Sequence, residues 1–129
     1  MLLGKEVVAM VFVVVDSDEN DVKQVIEIIK DGFCDCAVKG FVDPMLAVQY
    51  VCNNKTDVVI SNKCVKHLTN SVFVKVIRKQ KPDVPIFMTS DTDEDFTFSR
   101  ECNYDDFLIK PLSIETIRRA INKVRDVVY

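Results

Sequence analysis

Glycine is scarce in this chain, with three in 129 residues. No glycine-rich loop follows the first apolar run, so the sequence offers no backbone cradle for nucleotide phosphates. An excess of basic residues is missing too: the net charge is -3 and the isoelectric point lies near 5.1. Phosphate backbones demand clustered lysine and arginine, so direct nucleic-acid binding is not expected. The five cysteines, Cys34, Cys36, Cys52, Cys64 and Cys102, have neither an even count nor C-x-x-C spacing. That pattern argues against a secreted disulfide framework and for reduced, mostly buried thiols. Cys64 and His67 form a lone C-x-x-H, and two ligands without a second pair do not make a zinc site. The apolar stretch from Val7 to Val15 is too short to cross a bilayer, lacks a cleavage-site pattern and is followed by an acid. A cytoplasmic protein without membrane contact is the expectation.

What remains is a globular mixture, 48% hydrophobic and 29% charged, of a length that fits one compact domain over residues 1–129. Its centre is Thr56-Asp57-Val58-Val59-Ile60-Ser61-Asn62, whose unbroken apolar run suits a strand covered on both faces. Val7–Val15 reads as a strand before it, and the acids and hydroxyl of Asp16-Ser17-Asp18 precede a helix from about Asn20 to Lys30. There Val22, Val25, Ile26 and Ile29 form one stripe, and Asp31-Gly32 is expected to end the helix. Cys36–Phe41 reads as a strand. Asp43-Pro44 caps a second helix to about Cys52, with Leu46, Ala47, Tyr50 and Val51 inward. A third helix from about Ser71 to Lys79 offers Phe73, Val76 and Ile77 to the core. Val84–Thr89 is a buried strand, and Thr92-Asp93-Glu94-Asp95 resembles the start of a fourth helix. Asp106–Ile109 is the last strand. Ser113 caps a final helix to about Val128, with Ile114, Ile117, Ile121, Val124 and Val128 on one face.

Strands alternating with helices at this size predict an α/β fold, a doubly wound parallel sheet with helices on both faces. The five-strand solution is the flavodoxin-like (βα)5 order 2-1-3-4-5. In that order the carboxyl ends of the strands gather Asp16, Asp18, Asn62, Ser90 and Lys110. Asp57 lies at the opposite end of the sheet and reads as a turn or cap acid.

On these residues the chain resembles the receiver domain of two-component response regulators along essentially its whole length. The resemblance is carried by Val-Asp-Ser-Asp-Glu-Asn from Val15, Asp-Val-Val-Ile-Ser-Asn from Asp57, Pro-Ile-Phe-Met-Thr-Ser from Pro85 and, most specifically, Asp-Asp-Phe-Leu-Ile-Lys-Pro from Asp105. It implies that Asp16 matches the first acid of a magnesium-binding pair, Ser90 the switch hydroxyl, Phe107 the aromatic that changes rotamer and Lys110 the lysine that holds phosphoryl oxygens. It also implies a cis bond between Lys110 and Pro111. Two positions depart from the pattern. Ser17 stands where the second acid belongs, and Asn62 stands where an aspartate accepts the phosphoryl group from a histidine kinase.

A neutral amide is a poor nucleophile and cannot give an acyl phosphate, so phosphotransfer is expected to be absent. Magnesium prefers carboxylate oxygen, and with Asp16 and Asp18 as the available acids its binding is expected to be weak or absent, leaving no cofactor. An ammonium without its acid is costly when partly buried, which predicts a substitute pair between Asp16 and Lys110. Asp18 reads more readily as a helix cap than as a ligand, and Phe107 as core.

The sequence therefore reads as a degenerate receiver acting through protein partners, a histidine kinase or a fused output domain among them. The resemblance places the partner face on the fourth helix, last strand and last helix, with Phe96, Phe98, Arg118, Arg119 and Arg125, and leaves homodimerisation open. The chain is also compatible with a receiver cut from a longer regulator. Two rivals stay open: a receiver still regulated by anion binding at Ser90 and Lys110 or by phosphorylation of Asp16 or Asp18, and a small enzyme or cofactor carrier on the same scaffold. No nucleophile and base pair is visible, so an enzyme is not expected.

Overall fold

In the computed structural model, residues 10–62, 70–92 and 103–127 are described, with 70, 71 and 125–127 described by backbone alone. The elements run β1 (Met10–Val15), α1 (Glu19–Gly32), β2 (Cys36–Phe41), α2 (Pro44–Asn53), β3 (Val58–Asn62), α3 (Asn70–Gln80), β4 (Ile86–Ser90), β5 (Asp106–Ile109) and α4 (Ile114–Val127). The five strands form one parallel sheet in the order β2-β1-β3-β4-β5. The flavodoxin-like order expected from the alternation of apolar segments is the order observed. The fourth predicted helix with Phe96 and Phe98, and the Cys64 and His67 pair, lie outside the described residues, as does the side chain of Arg125. No helix among the described residues is long and apolar enough to cross a membrane.

Side-chain alternation along the strands divides the core in two. Phe12, Val14, Val58, Ile60, Phe87 and Leu108 pack with Val22, Val25 and Ile29 of α1 and Ile117, Ala120 and Ile121 of α4. On the other face Val13, Val15, Val59, Ile86 and Met88 pack with Ala47 and Val51 of α2 and Phe73, Val74 and Ile77 of α3. Burial of β3 and β4 on both faces explains their unbroken apolar runs.

Several local expectations shift. Leu46 is 52% exposed: it lies about 100° around the helix from Ala47, away from the arc of Pro44, Ala47 and Val51 that meets the sheet. Val76 is 38% exposed and Val74 takes its place in the core, because the α3 stripe is Phe73, Val74 and Ile77. The described thiols are less buried than expected. Cys34 is exposed in the turn between α1 and β2, and Cys36 and Cys52 are half-buried. Asp57 does stand at the amino end of β3, where its Oδ2 accepts from the Val11 backbone N–H and the Lys55 ammonium, both at 2.7 Å.

Gly32 does not lie past the end of α1. It is the last helical residue, the Phe33 N–H still reaches the Ile29 carbonyl, and no described glycine has positive φ. Its missing side chain serves packing instead: a Cβ there would overlap Ile114 at the start of α4. Arg118 of α4 donates to the Gly32 carbonyl and lies over the Phe33 ring, 5.4 Å from its centroid, joining the two helices on one face of the sheet.

Gly32→Ala should therefore destabilise the fold by about 1–3 kcal/mol, the usual cost of overpacking, with most of that loss relieved when Ile114→Ala is made beside it. Urea midpoints of the two single variants, the double variant and the native chain measure it. A higher midpoint for Gly32→Ala alone, the response of an open helical glycine worth about 1 kcal/mol, would count against the contact.

Candidate functional site

The carboxyl rim of the sheet is built by strand alternation carried one residue past the strand ends. Asp16 keeps the ladder going through its N–H to the Phe41 carbonyl at 3.1 Å, and Lys110 does the same to the Ser90 carbonyl at 2.8 Å. Asp16 thus shares the parity of Val14, Lys110 that of Leu108 and Asn62 that of Ile60, all on the face covered by α1 and α4. Ser90 has the opposite parity, with Ile86 and Met88.

On that face the Lys110 ammonium donates to Asp16 Oδ2 at 2.7 Å and to Asp21 Oδ2 at 3.1 Å. The Lys110 and Asp16 side chains are 14% and 5% exposed, whereas Asp21 is 39% exposed. Asp16 Oδ1 in turn accepts the Asp18 N–H at 3.0 Å, so both oxygens of this buried acid are engaged. Burial lowers the Lys110 pKa, but the hydrogen bonds and charges of Asp16 and Asp21 outweigh it, and the ammonium titrates above its ordinary value. The Asp16 to Lys110 pair expected from the sequence forms. Asp21 was not foreseen. Its signal is the stripe Asp21, Val25 and Ile28, which lines a narrow crevice with Lys110, Pro111 and Leu112.

The other rim residues have local partners. Asp18 is the N-cap of α1, accepting from the backbone N–H of Asn20 and Asp21, so the cap reading of this acid holds. Asn62 closes β3 opposite Thr89 of β4, whose hydroxyl donates to its Oδ1 at 3.4 Å. The Ser90 hydroxyl is buried and accepts the Thr92 N–H at 3.3 Å. Phe107 is half-buried, packs against the α2 and α3 side of the core and lies 6.3 Å, centroid to centroid, from Tyr104. The Lys110–Pro111 peptide bond is cis.

A family model for the response regulator receiver domain matches residues 11–122. The chain belongs to the response regulator receiver family. No curated protein sequence matches significantly. Among solved structures, the receiver domain is similar to the chemotaxis response regulator CheY4 of Vibrio cholerae, at 22% identity and a TM-score of 0.76, covering 91% of this chain and 99% of that one. It is also similar to the receiver domain of a sensor histidine kinase of Pseudomonas aeruginosa, solved with magnesium in its active-site cleft, at 16% identity and a TM-score of 0.79, covering 90% and 97% of the two chains. A third likeness is the Francisella response regulator 1452 receiver domain, at 21% identity and 0.72, covering 93% and 99%. At such identities these likenesses establish the fold. The family makes this chain a receiver domain of two-component signalling, a class of module that generally signals through histidine kinases and output domains.

Of the residues expected on a partner face, the two whose side chains are described, Arg118 and Arg119, turn to different sides of α4. Arg119 borders a shallow groove with Asp106, Phe107 and Ile109 of β5, while Arg118 turns to the carboxyl end of α1.

Because its pKa is raised on folding, Lys110 contributes stability that is fully present below the unfolded lysine value of about 10.4 and is lost as pH rises through the higher folded value. Lys110→Met, which leaves Asp16 buried without a cation, should cost about 3 kcal/mol near neutral pH. Melting temperatures of both proteins from about pH 8 to about pH 12 should converge at the alkaline end; a constant gap would show that Lys110 acts through packing alone.

Proposed function

We propose that this receiver domain does not accept a phosphoryl group at the usual position and signals by binding other proteins. The observation that carries the reading is the rim itself: Asn62 ends the central strand, and the lysine on the same face of the sheet is already held by Asp16 and Asp21 at 2.7 and 3.1 Å. An amide lacks the charge and basicity to attack phosphorus. A lysine held between two carboxylates presents a rim that does not favour an incoming anion.

The donor set also fits magnesium poorly. Ser17 and Asn62 offer neutral oxygens, Asp18 caps a helix and both Asp16 oxygens are engaged. A hard cation that retains most of its water needs at least one free carboxylate to anchor it. Magnesium, which the sensor kinase receiver holds in its cleft, is therefore assigned no step here. We read the chain as one receiver unit, and its partners as a kinase, an output domain or a second copy. The β5 and α4 groove beside Arg119 and Phe107 is the surface we assign to them.

Amide NMR spectra of the native protein should be unmoved by magnesium or by magnesium with beryllofluoride, a phosphoryl mimic, while Asn62→Asp should gain shifts around Ser90, Phe107 and Lys110. A native protein that responds as strongly as the variant would overturn the reading.

A further inference from the structure

A half-buried ammonium needs negative partners, and the residue that ends β3 cannot provide one because it is Asn62. Lys110 finds two elsewhere. Asp16 comes from the loop after β1, and Asp21 from the first turn of α1. Among the described residues these two carboxylates are the hydrogen-bond partners of the ammonium. They do not stand equally. Asp16 is buried and braced by the Asp18 N–H, whereas Asp21 is partly exposed and lines the crevice between α1 and the Lys110-Pro111-Leu112 turn. Asp21 therefore adds a pull on Lys110 from the α1 side of the rim.

Resting on the reading above, we propose that Asp21 is a positioning residue that holds Lys110 on the α1 side, a built-in contact that keeps the lysine from serving an anion at the end of β3. The site is then shut twice. Asn62 removes the acceptor, and Asp21 occupies the cation that would steady whatever bound there. Restoring the acceptor alone opens one lock. A new carboxylate at position 62 would compete with Asp21 for Lys110, and an anion bound to it would lie near two acids whose charges oppose it. Replacing Asp21 by its isosteric amide removes one of those charges and frees a lysine donor, with Asp16 still present to keep the ammonium paired. Because Asp21 is partly exposed, the change spares the core.

Beryllofluoride affinity in magnesium buffer, followed by amide NMR at Ser90 and Phe107, separates the two locks. The variants are Asn62→Asp, Asp21→Asn, the double change, and Asn62→Asp with Asp21→Glu. Expected are no binding by the native chain or by Asp21→Asn, weak binding by Asn62→Asp, and at least a tenfold gain in the double variant. The Glu variant should return to the weak level, a reversal that a merely structural role for residue 21 would not produce. Equal affinity in Asn62→Asp and the double variant, or silence in both, would overturn the role of Asp21. Binding by the native chain would instead overturn the inactive-site reading, whatever the ratio between the variants.

Discussion

An ammonium group held at the carboxyl end of a parallel sheet is the constraint on which the rim of this protein depends. Removing it from water is tolerable only if carboxylates stand within hydrogen-bond reach. In this chain they come from two different segments, the loop after β1 and the first turn of α1, while the lysine comes from the end of β5. The pairing therefore ties the first helix to the last strand across the top of the sheet. Below it, Arg118 ties α4 to the carboxyl end of α1 over Phe33. Two basic residues thus anchor the first helix, one at each end.

The same layer explains why the polar rim residues meet. Strand alternation puts Asp16, Asn62 and Lys110 on the α1 side, and the helix contributes Asp21 from that side as well. Ser90 faces the other layer by parity and is engaged with the turn that follows β4. A further polar link, partly exposed, acts at the opposite end of the sheet. There Arg78 donates to the Asn103 and Val84 carbonyls and to Asp105, and Asp105 accepts the Ile86 N–H. This binds the end of α3 to the starts of β4 and β5. Charged groups thus stand at both ends of a largely apolar core.

Much of this was legible in the residues. The apolar runs of β1, β3 and β4, the caps Asp18, Asp43 and Ser113, and the stripes of α1 and α4 each follow from local chemistry that tertiary contacts do not override. The Asp16 to Lys110 pair was legible too, because an unpaired lysine at that rim would be too costly. The helix faces of α2 and α3 were harder. Both are rich in apolar residues on several sides, so periodicity alone could not choose between Val74 and Val76, or exclude Leu46.

The sequence by itself determined the order of elements, the sheet they form and the set of polar residues at its rim, since hydrophobic period, capping and strand alternation act over a few residues at a time. Only the tertiary structure decided which acids share the lysine, why Gly32 has no side chain and which side of α4 Arg118 faces. Those outcomes depend on distances between segments far apart in the chain. Asp21 and Lys110 are separated by 89 positions, and no local pattern records that a carboxylate from the first turn of one helix will stand 3.1 Å from the ammonium just past the last strand.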